Sequence, residues 1–107
     1  MTALEKNLET ELLELYYKWK RIGYHANYFK RMLTSANPLY RKGPLGTVRY
    51  LLAGDITPGS GFRRLVKAGK RDWTVEALLQ DPKFRDLPLT DLEWQKARSR
   101  YKAAKPN

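Results

Sequence analysis

Apolar residues recur at steps of three and four along the first part of the chain, which is the spacing of one helix face. The members of this stripe are Leu8, Leu12, Leu15, Trp19 and Ile22. Thr2 and Glu5 have the spacing of a capping box, and Gly23 is typical of a helix end. The pattern therefore predicts a long first helix from about Ala3 to Ile22.

A second apolar stripe predicts a shorter helix from about residue 24 or 25 to Ala36. Its inner face would carry Phe29, Met32, Leu33 and Ala36. The Asn37-Pro38 pair would end it, because the residue before a proline avoids the helical conformation.

Two further short helices are expected in the middle of the chain. The third would begin at Pro44 and end near Gly54, with Leu45, Val48, Leu51 and Leu52 inward. A loop over residues 55–59 would follow. The fourth would be capped by Ser60 and closed by Gly69, with Phe62, Leu65 and Val66 inward.

Helix caps mark the last two elements. Thr74 is expected to cap a fifth helix, about Val75 to Gln80. Thr90 and Glu93 form a second capping-box spacing, which predicts a last helix with Trp94, Ala97 and Tyr101 on one side.

No segment of useful length alternates apolar and polar residues with period two, so we assign no sheet. The sequence predicts an all-α fold, a compact single-domain bundle of five or six helices over residues 1–107. Its first and last helices would be the longer ones, and residues 103–107 would form a frayed tail.

Composition excludes several kinds of site. The 107 residues include no cysteine and one histidine, so disulfides, thiolate zinc sites and histidine-rich metal sites are ruled out. We expect no cofactor. The N-terminal residues have neither a basic start nor an apolar run, and no stretch approaches the length of a membrane span. The expected location is therefore the cytoplasm, without membrane attachment.

Charge is distributed very unevenly. Residues 16–71 contain thirteen basic side chains and one acidic one, Asp55, whereas the rest of the chain has eight basic and ten acidic. Such segregation indicates a surface that faces a polyanion. No arrangement of nucleophiles or paired acids points to a reaction, so we expect a protein that is not an enzyme.

Nine of the thirteen aromatic residues lie in the same basic segment. Trp19, Phe29 and Phe62 fall on apolar stripes and are expected in the core. For four tyrosines the sequence leaves open whether they belong to the core or stack on nucleic-acid bases: Tyr16, Tyr17, Tyr40 and Tyr50.

Several familiar nucleic-acid and nucleotide motifs do not fit. A helix-turn-helix joins its helices by three or four residues, and the gaps expected here, 37–43 and 54–60, are too long. The Gly43–Thr47 segment lacks the lysine and hydroxyl arrangement of a P-loop. Asp55 is alone in the basic segment, which argues against a metal-dependent nuclease.

The leading hypothesis is a basic helical module that binds nucleic acid, DNA ahead of RNA, mainly through phosphates and with weak sequence specificity. The residues predicted to bind are Lys30, Arg31, Arg41, Lys42, Arg63, Arg64, Lys67, Lys70 and Arg71. The alternative is a protein-interaction or self-association module that docks an acidic partner, motivated by the acidic start of the first helix and the surplus tyrosines.

A set of short landmarks resembles a small all-helical module of uncharacterised bacterial proteins. The most specific landmarks are Gly61-Phe62 through Gly69, Arg71-Asp72 and Thr74-Val75-Glu76. Others are Leu15-Tyr16-Tyr17, Gly23-Tyr24, Phe29, Met32-Leu33, Gly43, Leu51-Leu52, Leu65, Leu78, Phe84, Glu93 and Ala97-Arg98. Such modules occur alone or as the tail of larger proteins, some of which look like restriction-type nucleases. The resemblance implies a helical accessory module and no particular activity, cofactor or catalytic residue.

Overall fold

A computed structural model describes residues 1–53 and 60–104 of the chain. Six α-helices and no strand occur in these residues, which confirms the all-α prediction. The helices are α1 (Ala3–Arg21), α2 (Asn27–Thr34), α3 (Gly43–Leu52), α4 (Ser60–Lys67), α5 (Val75–Leu78) and α6 (Asp91–Ala103), with 3-10 turns at Arg71–Trp73 and Pro82–Phe84. As predicted, the first and last helices are the longest. The predicted loop at 55–59 and residues 105–107 of the predicted tail lie outside the described residues, while Ala103 is the last residue of α6 and Ala104 is its buried C-cap.

The chain divides into two compact units, Met1–Val48 and Arg49–Asn107, here called the N-terminal and C-terminal units. The division falls inside α3. The prediction of a single domain over the whole chain stays a prediction.

In the N-terminal unit, α1 has the predicted caps at both ends. The Thr2 hydroxyl accepts a hydrogen bond from the Glu5 amide at 3.1 Å, and the Glu5 carboxylate accepts one from the Thr2 amide at 2.8 Å. At the other end Gly23 adopts a φ of +83°, and the amides of Gly23 and Tyr24 donate to the carbonyls of Lys20 and Trp19. This pair of bonds is a Schellman motif, which only a residue tolerant of positive φ closes without strain.

The buried face of α1 matches the predicted stripe except at its end. Leu8, Leu12, Leu15 and Trp19 are buried. Ile22 is 43% exposed, so its place in the stripe was wrong. The reason is that the helix has ended at Arg21 and Ile22 is the capping residue, whose side chain no longer follows the helical spacing.

The second helix is shorter than predicted. Phe29, Met32 and Leu33 are buried, and the Phe29 ring meets Trp19 edge-on at 4.8 Å between centroids. However, α2 ends at Thr34, and Ala36 is exposed rather than inward. The Ser35 hydroxyl accepts from the Asn37 amide, so a local side-chain turn replaces the last helical turn.

The third helix is anchored at its start by α2 and by its own threonine. The Lys42 amide donates to the Met32 carbonyl, and the Thr47 hydroxyl donates to the Gly43 carbonyl, both at 2.6 Å. Val48 and Leu52 are fully buried, whereas Leu45 and Leu51 are half-buried. Helix α3 begins one residue before the predicted Pro44, and the predicted end at Gly54 lies outside the described residues.

In the C-terminal unit, α4 buries Leu65 and half-buries Phe62 and Val66. Gly69 closes it with a φ of +74°, and the amides of Gly69 and Lys70 donate to the carbonyls of Val66 and Leu65. This is the same Schellman geometry that ends α1.

The two predicted threonine caps of the C-terminal unit are confirmed. Thr74 accepts from the Ala77 amide at 3.0 Å, although α5 ends at Leu78, two residues earlier than expected. Thr90 and Glu93 form the full capping box of α6. On the predicted inner side of α6, Ala97 is buried while Trp94 and Tyr101 are half-buried. The C-cap residue of α6, Ala104, is buried.

Candidate functional site

Helix α4 presents three of the nine predicted cations on one arc. Arg63, Arg64 and Lys67 are exposed. On a helix of 3.6 residues per turn they span an arc of about 100°, while Leu65 lies on the opposite side. Residues 60–71 hold five basic and no acidic side chains. The exposed arc of α4 therefore carries a high density of positive charge.

The two cations after α4 are less exposed, because both lie against aromatic rings. The Lys70 ammonium is 4.5 Å from the centre of the Trp73 ring. The Arg71 guanidinium stacks over Tyr101 at 4.0 Å and donates to the Ala104 carbonyl at 3.0 Å. Arg71 therefore holds the end of α6, and a phosphate would have to compete with these contacts.

The remaining four predicted cations belong to the N-terminal unit. Lys30 and Arg31 are neighbours on α2, and Arg41 and Lys42 lie just before α3. Arg41 pairs with the Glu9 carboxylate at 3.9 Å while its side chain stays 48% exposed. Such a surface pair is worth at most about 1 kcal/mol, so Arg41 is only weakly held. The nine predicted residues are therefore divided between the units, four in the N-terminal and five in the C-terminal unit.

Tyrosines accompany the cations of the N-terminal unit. The Lys30 ammonium lies 5.5 Å from the centre of the Tyr16 ring and 5.8 Å from that of Tyr17. The Arg31 guanidinium lies 5.3 Å from the centre of the Tyr40 ring. Of the four tyrosines that the sequence left open, Tyr16 is buried, whereas Tyr17, Tyr40 and Tyr50 are 45%, 46% and 50% exposed.

Two cations of α6 have an internal role that sequence reasoning missed. Arg100 is 4% exposed and donates to the Leu51 carbonyl at 3.0 Å and to the Glu76 carboxylate at 3.5 Å. Lys96 donates to the Leu52 carbonyl at 3.1 Å. These carbonyls belong to the last turn of α3, where no backbone amide of the helix can reach them. Arg100 and Lys96 therefore cap α3 from α6.

The Glu76 carboxylate is buried beside this cap. Burial raises its pKa above the ordinary value of 4.5, while the hydrogen bonds to the carboxylate and the Arg100 charge act in the opposite direction. The cost of desolvating the carboxylate therefore outweighs the attraction of Arg100. A separate contact joins Arg49 of α3 to the start of α6: it donates to the Pro88 carbonyl and pairs with Glu93 at 3.5 Å.

A helix-spacing signal for the buried arginine is present in the sequence. Ala97, Arg100 and Ala104 follow one another at steps of three and four, and all three are buried. Reading that row as a core face would have placed Arg100 inside. The predicted face contained Trp94, Ala97 and Tyr101 and did not include Arg100.

A surface groove of about 550 Å³ lies in the C-terminal unit between the end of α5 and α6. Trp94 lines it together with Arg85 and Arg98, and Asp81 and Asp91 also line it. Because the two arginines are balanced by two carboxylates, the groove offers no excess of positive charge to an anion.

Within residues 1–53 and 60–104, no group of three or more histidine or acidic side chains gathers around a point that could hold a metal ion. None of the helices in the same residues combines the length and apolar character of a membrane span. Comparison with family models, with curated proteins and with solved structures finds no match to the chain. The resemblance to the bacterial helical module therefore stays a prediction.

Proposed function

We propose that this protein is a non-enzymatic module that binds nucleic acid, DNA ahead of RNA, through its phosphates. The observation that carries the proposal is the arc of α4, where Arg63, Arg64 and Lys67 are exposed side by side. Phosphates need cations with reach, and arginine and lysine supply both charge and hydrogen-bond donors. The contacts would be to the backbone of the nucleic acid, which makes sequence specificity weak.

The cations of α4 are well suited to an external anion because they lie away from the buried side of the helix. Leu65, on the opposite side, supplies the buried contact of the helix. Lys70 follows directly, but it is half-buried with its ammonium against the Trp73 ring, so a phosphate would have to compete with that contact. Arg71 is the member of the predicted set that we expect to contribute least, because it already binds the Ala104 carbonyl.

Binding of a short DNA duplex as a function of salt concentration tests this function. The variant Arg63→Gln/Arg64→Gln/Lys67→Gln removes the arc. Its matched control, Arg85→Gln/Arg98→Gln/Lys102→Gln, removes the same residue types from exposed positions of the same unit. Each phosphate that a cation no longer neutralises lowers the log–log salt slope by about 0.9, so the α4 variant should show a slope smaller by roughly 2 to 3.

The control variant should keep most of the slope, because its cations lie outside the arc. No binding of the unmodified protein at low salt would overturn the proposal. Equal reductions of the slope in the two variants would also overturn it, since binding would then follow net charge and not α4.

A further inference from the structure

We infer that the N-terminal unit holds unpaired nucleic-acid bases on the rings of Tyr17 and Tyr40. This inference rests on the proposed function and specifies the partner, a nucleic acid with single-stranded bases. The surface consists of these two rings and the cations Lys30 and Arg31, and it is called the tyrosine surface below.

The two rings of the tyrosine surface are about half exposed to solvent. Tyr17 is 45% exposed and Tyr40 is 46% exposed. By contrast Tyr16, the neighbour of Tyr17, packs in the core of this unit and is only 3% exposed. A half-exposed ring offers a π surface, and every base can stack on such a surface whatever its identity.

Each exposed ring has a cation over one of its faces. The Lys30 ammonium is 5.8 Å from the centre of the Tyr17 ring, and the Arg31 guanidinium is 5.3 Å from that of Tyr40. Lys30 and Arg31 are consecutive in α2 and therefore project about 100° apart around the helix, so each cation serves a different ring. A base that stacks on either ring would bring its own phosphate within reach of a positive charge.

Both tyrosines are partly restrained before any ligand binds. Tyr17 meets the buried Tyr16 ring edge-on, at 5.2 Å between centroids and 71° between planes. The backbone of Tyr40 is fixed by a turn, in which its amide donates to the Asn37 carbonyl at 3.0 Å. These contacts lower the entropic cost of ordering the two residues on binding.

A single strand fits this chemistry better than a duplex or an acidic protein. In a duplex the bases stack on one another, and their faces are closed to a protein side chain. The carboxylates of an acidic peptide supply negative charge but do not stack on the rings. Every nucleotide of a single strand carries both a charge and a planar base, and so uses both the tyrosines and the cations.

Three probes of equal length separate these contributions. They are a strand of about 12 thymidines, an abasic strand with the same phosphates, and a duplex. The unmodified protein should bind the thymidine strand more tightly than the abasic one. The variant Tyr17→Leu/Tyr40→Leu should lose that advantage, about tenfold for each ring, and should bind the abasic strand and the duplex as before.

Two control variants sharpen the test. Tyr17→Phe/Tyr40→Phe keeps both rings and should retain the preference for thymidine. Tyr50→Leu removes a tyrosine of similar exposure from α3 and should leave all three affinities unchanged. Loss of the preference in either control would overturn the inference.

The outcomes also distinguish this inference from the proposed function. Equal affinity for the thymidine and abasic strands would overturn the inference while the salt-dependent phosphate binding remains. Absence of binding to all three probes would overturn both. Polyglutamate provides a further competitor for the bound thymidine strand. If it displaces that strand as effectively as the abasic strand does, and if its binding depends on Tyr17 and Tyr40, the partner is an acidic protein and the inference is overturned.

Discussion

Helices α4 and α6 carry basic residues of the same two types in two different environments. On α4, Arg63, Arg64 and Lys67 are exposed on one arc. On α6, Arg100 is buried against Glu76 and Lys96 donates to the end of α3. The difference teaches that a count of cations does not identify a binding surface. What matters is whether the cation is exposed at the surface or buried against a carbonyl or a carboxylate.

The same contrast explains how each helix contributes to stability. Leu65 anchors α4 by apolar contact, while the cations of its arc stay at the surface. In α6 the buried row includes Arg100, whose guanidinium satisfies a carbonyl of α3 and a carboxylate together. Removing a cation should therefore have unequal consequences for stability in the two helices, and the following experiments test that difference.

The largest effect is expected from Arg100→Met. This change leaves Glu76 buried without its partner and the Leu51 carbonyl without a donor, which should cost about 3–5 kcal/mol of unfolding free energy. Urea unfolding measures it, with Arg98→Met as the matched control from the exposed side of α6. The control should stay within about 0.5 kcal/mol of the unmodified protein. Equal stabilities of the two variants would show that the buried pair is not a structural cap.

The free energy of unfolding should depend on pH through Glu76, the buried partner of Arg100. Because burial raises the pKa of Glu76 in the folded chain, the folded state binds this proton more tightly than the unfolded state. The stability that protonation contributes is complete below pH 4.5 and is lost as the pH rises through the raised pKa. Between neutral pH and 4.5, the unmodified protein should therefore gain stability relative to Glu76→Gln as the pH falls.

Unfolding curves of both proteins across this range provide the measurement. The comparison with Glu76→Gln cancels the groups that the two proteins share. A relative loss of stability on acidification would mean that the Arg100 charge, and not desolvation, dominates at Glu76.

The smallest effect on stability is expected on α4. The variant Arg63→Gln/Arg64→Gln/Lys67→Gln should change the unfolding free energy by less than about 0.5 kcal/mol per site, because these side chains are exposed. Thermal unfolding at moderate salt checks this. A destabilisation comparable to that of Arg100→Met would mean that the arc is part of the fold, and the comparison between α4 and α6 would fail.

Most of the secondary structure could be predicted because its signals are local. The capping boxes at Thr2 and Thr90 depend on residues three positions apart, and both are present. The errors concern ends that local side-chain turns decide, such as α2, which stops at Thr34. Among the open tyrosines, helix spacing carried a signal for Tyr16, which lies four residues after Leu12 and three before Trp19 and is buried, whereas the adjacent Tyr17 points elsewhere and is half exposed.

The sequence by itself determined the all-α class, most of the helix caps and the segregation of positive charge. These features depend on residue type and short-range spacing, which the chain carries before it folds. Only the tertiary structure decided which cations remain at the surface, as on α4, and which are held inside, as Arg100 is. The reason is that burial and carbonyl partners come from segments far apart in the sequence, such as Leu51 and Arg100, which are brought together by packing.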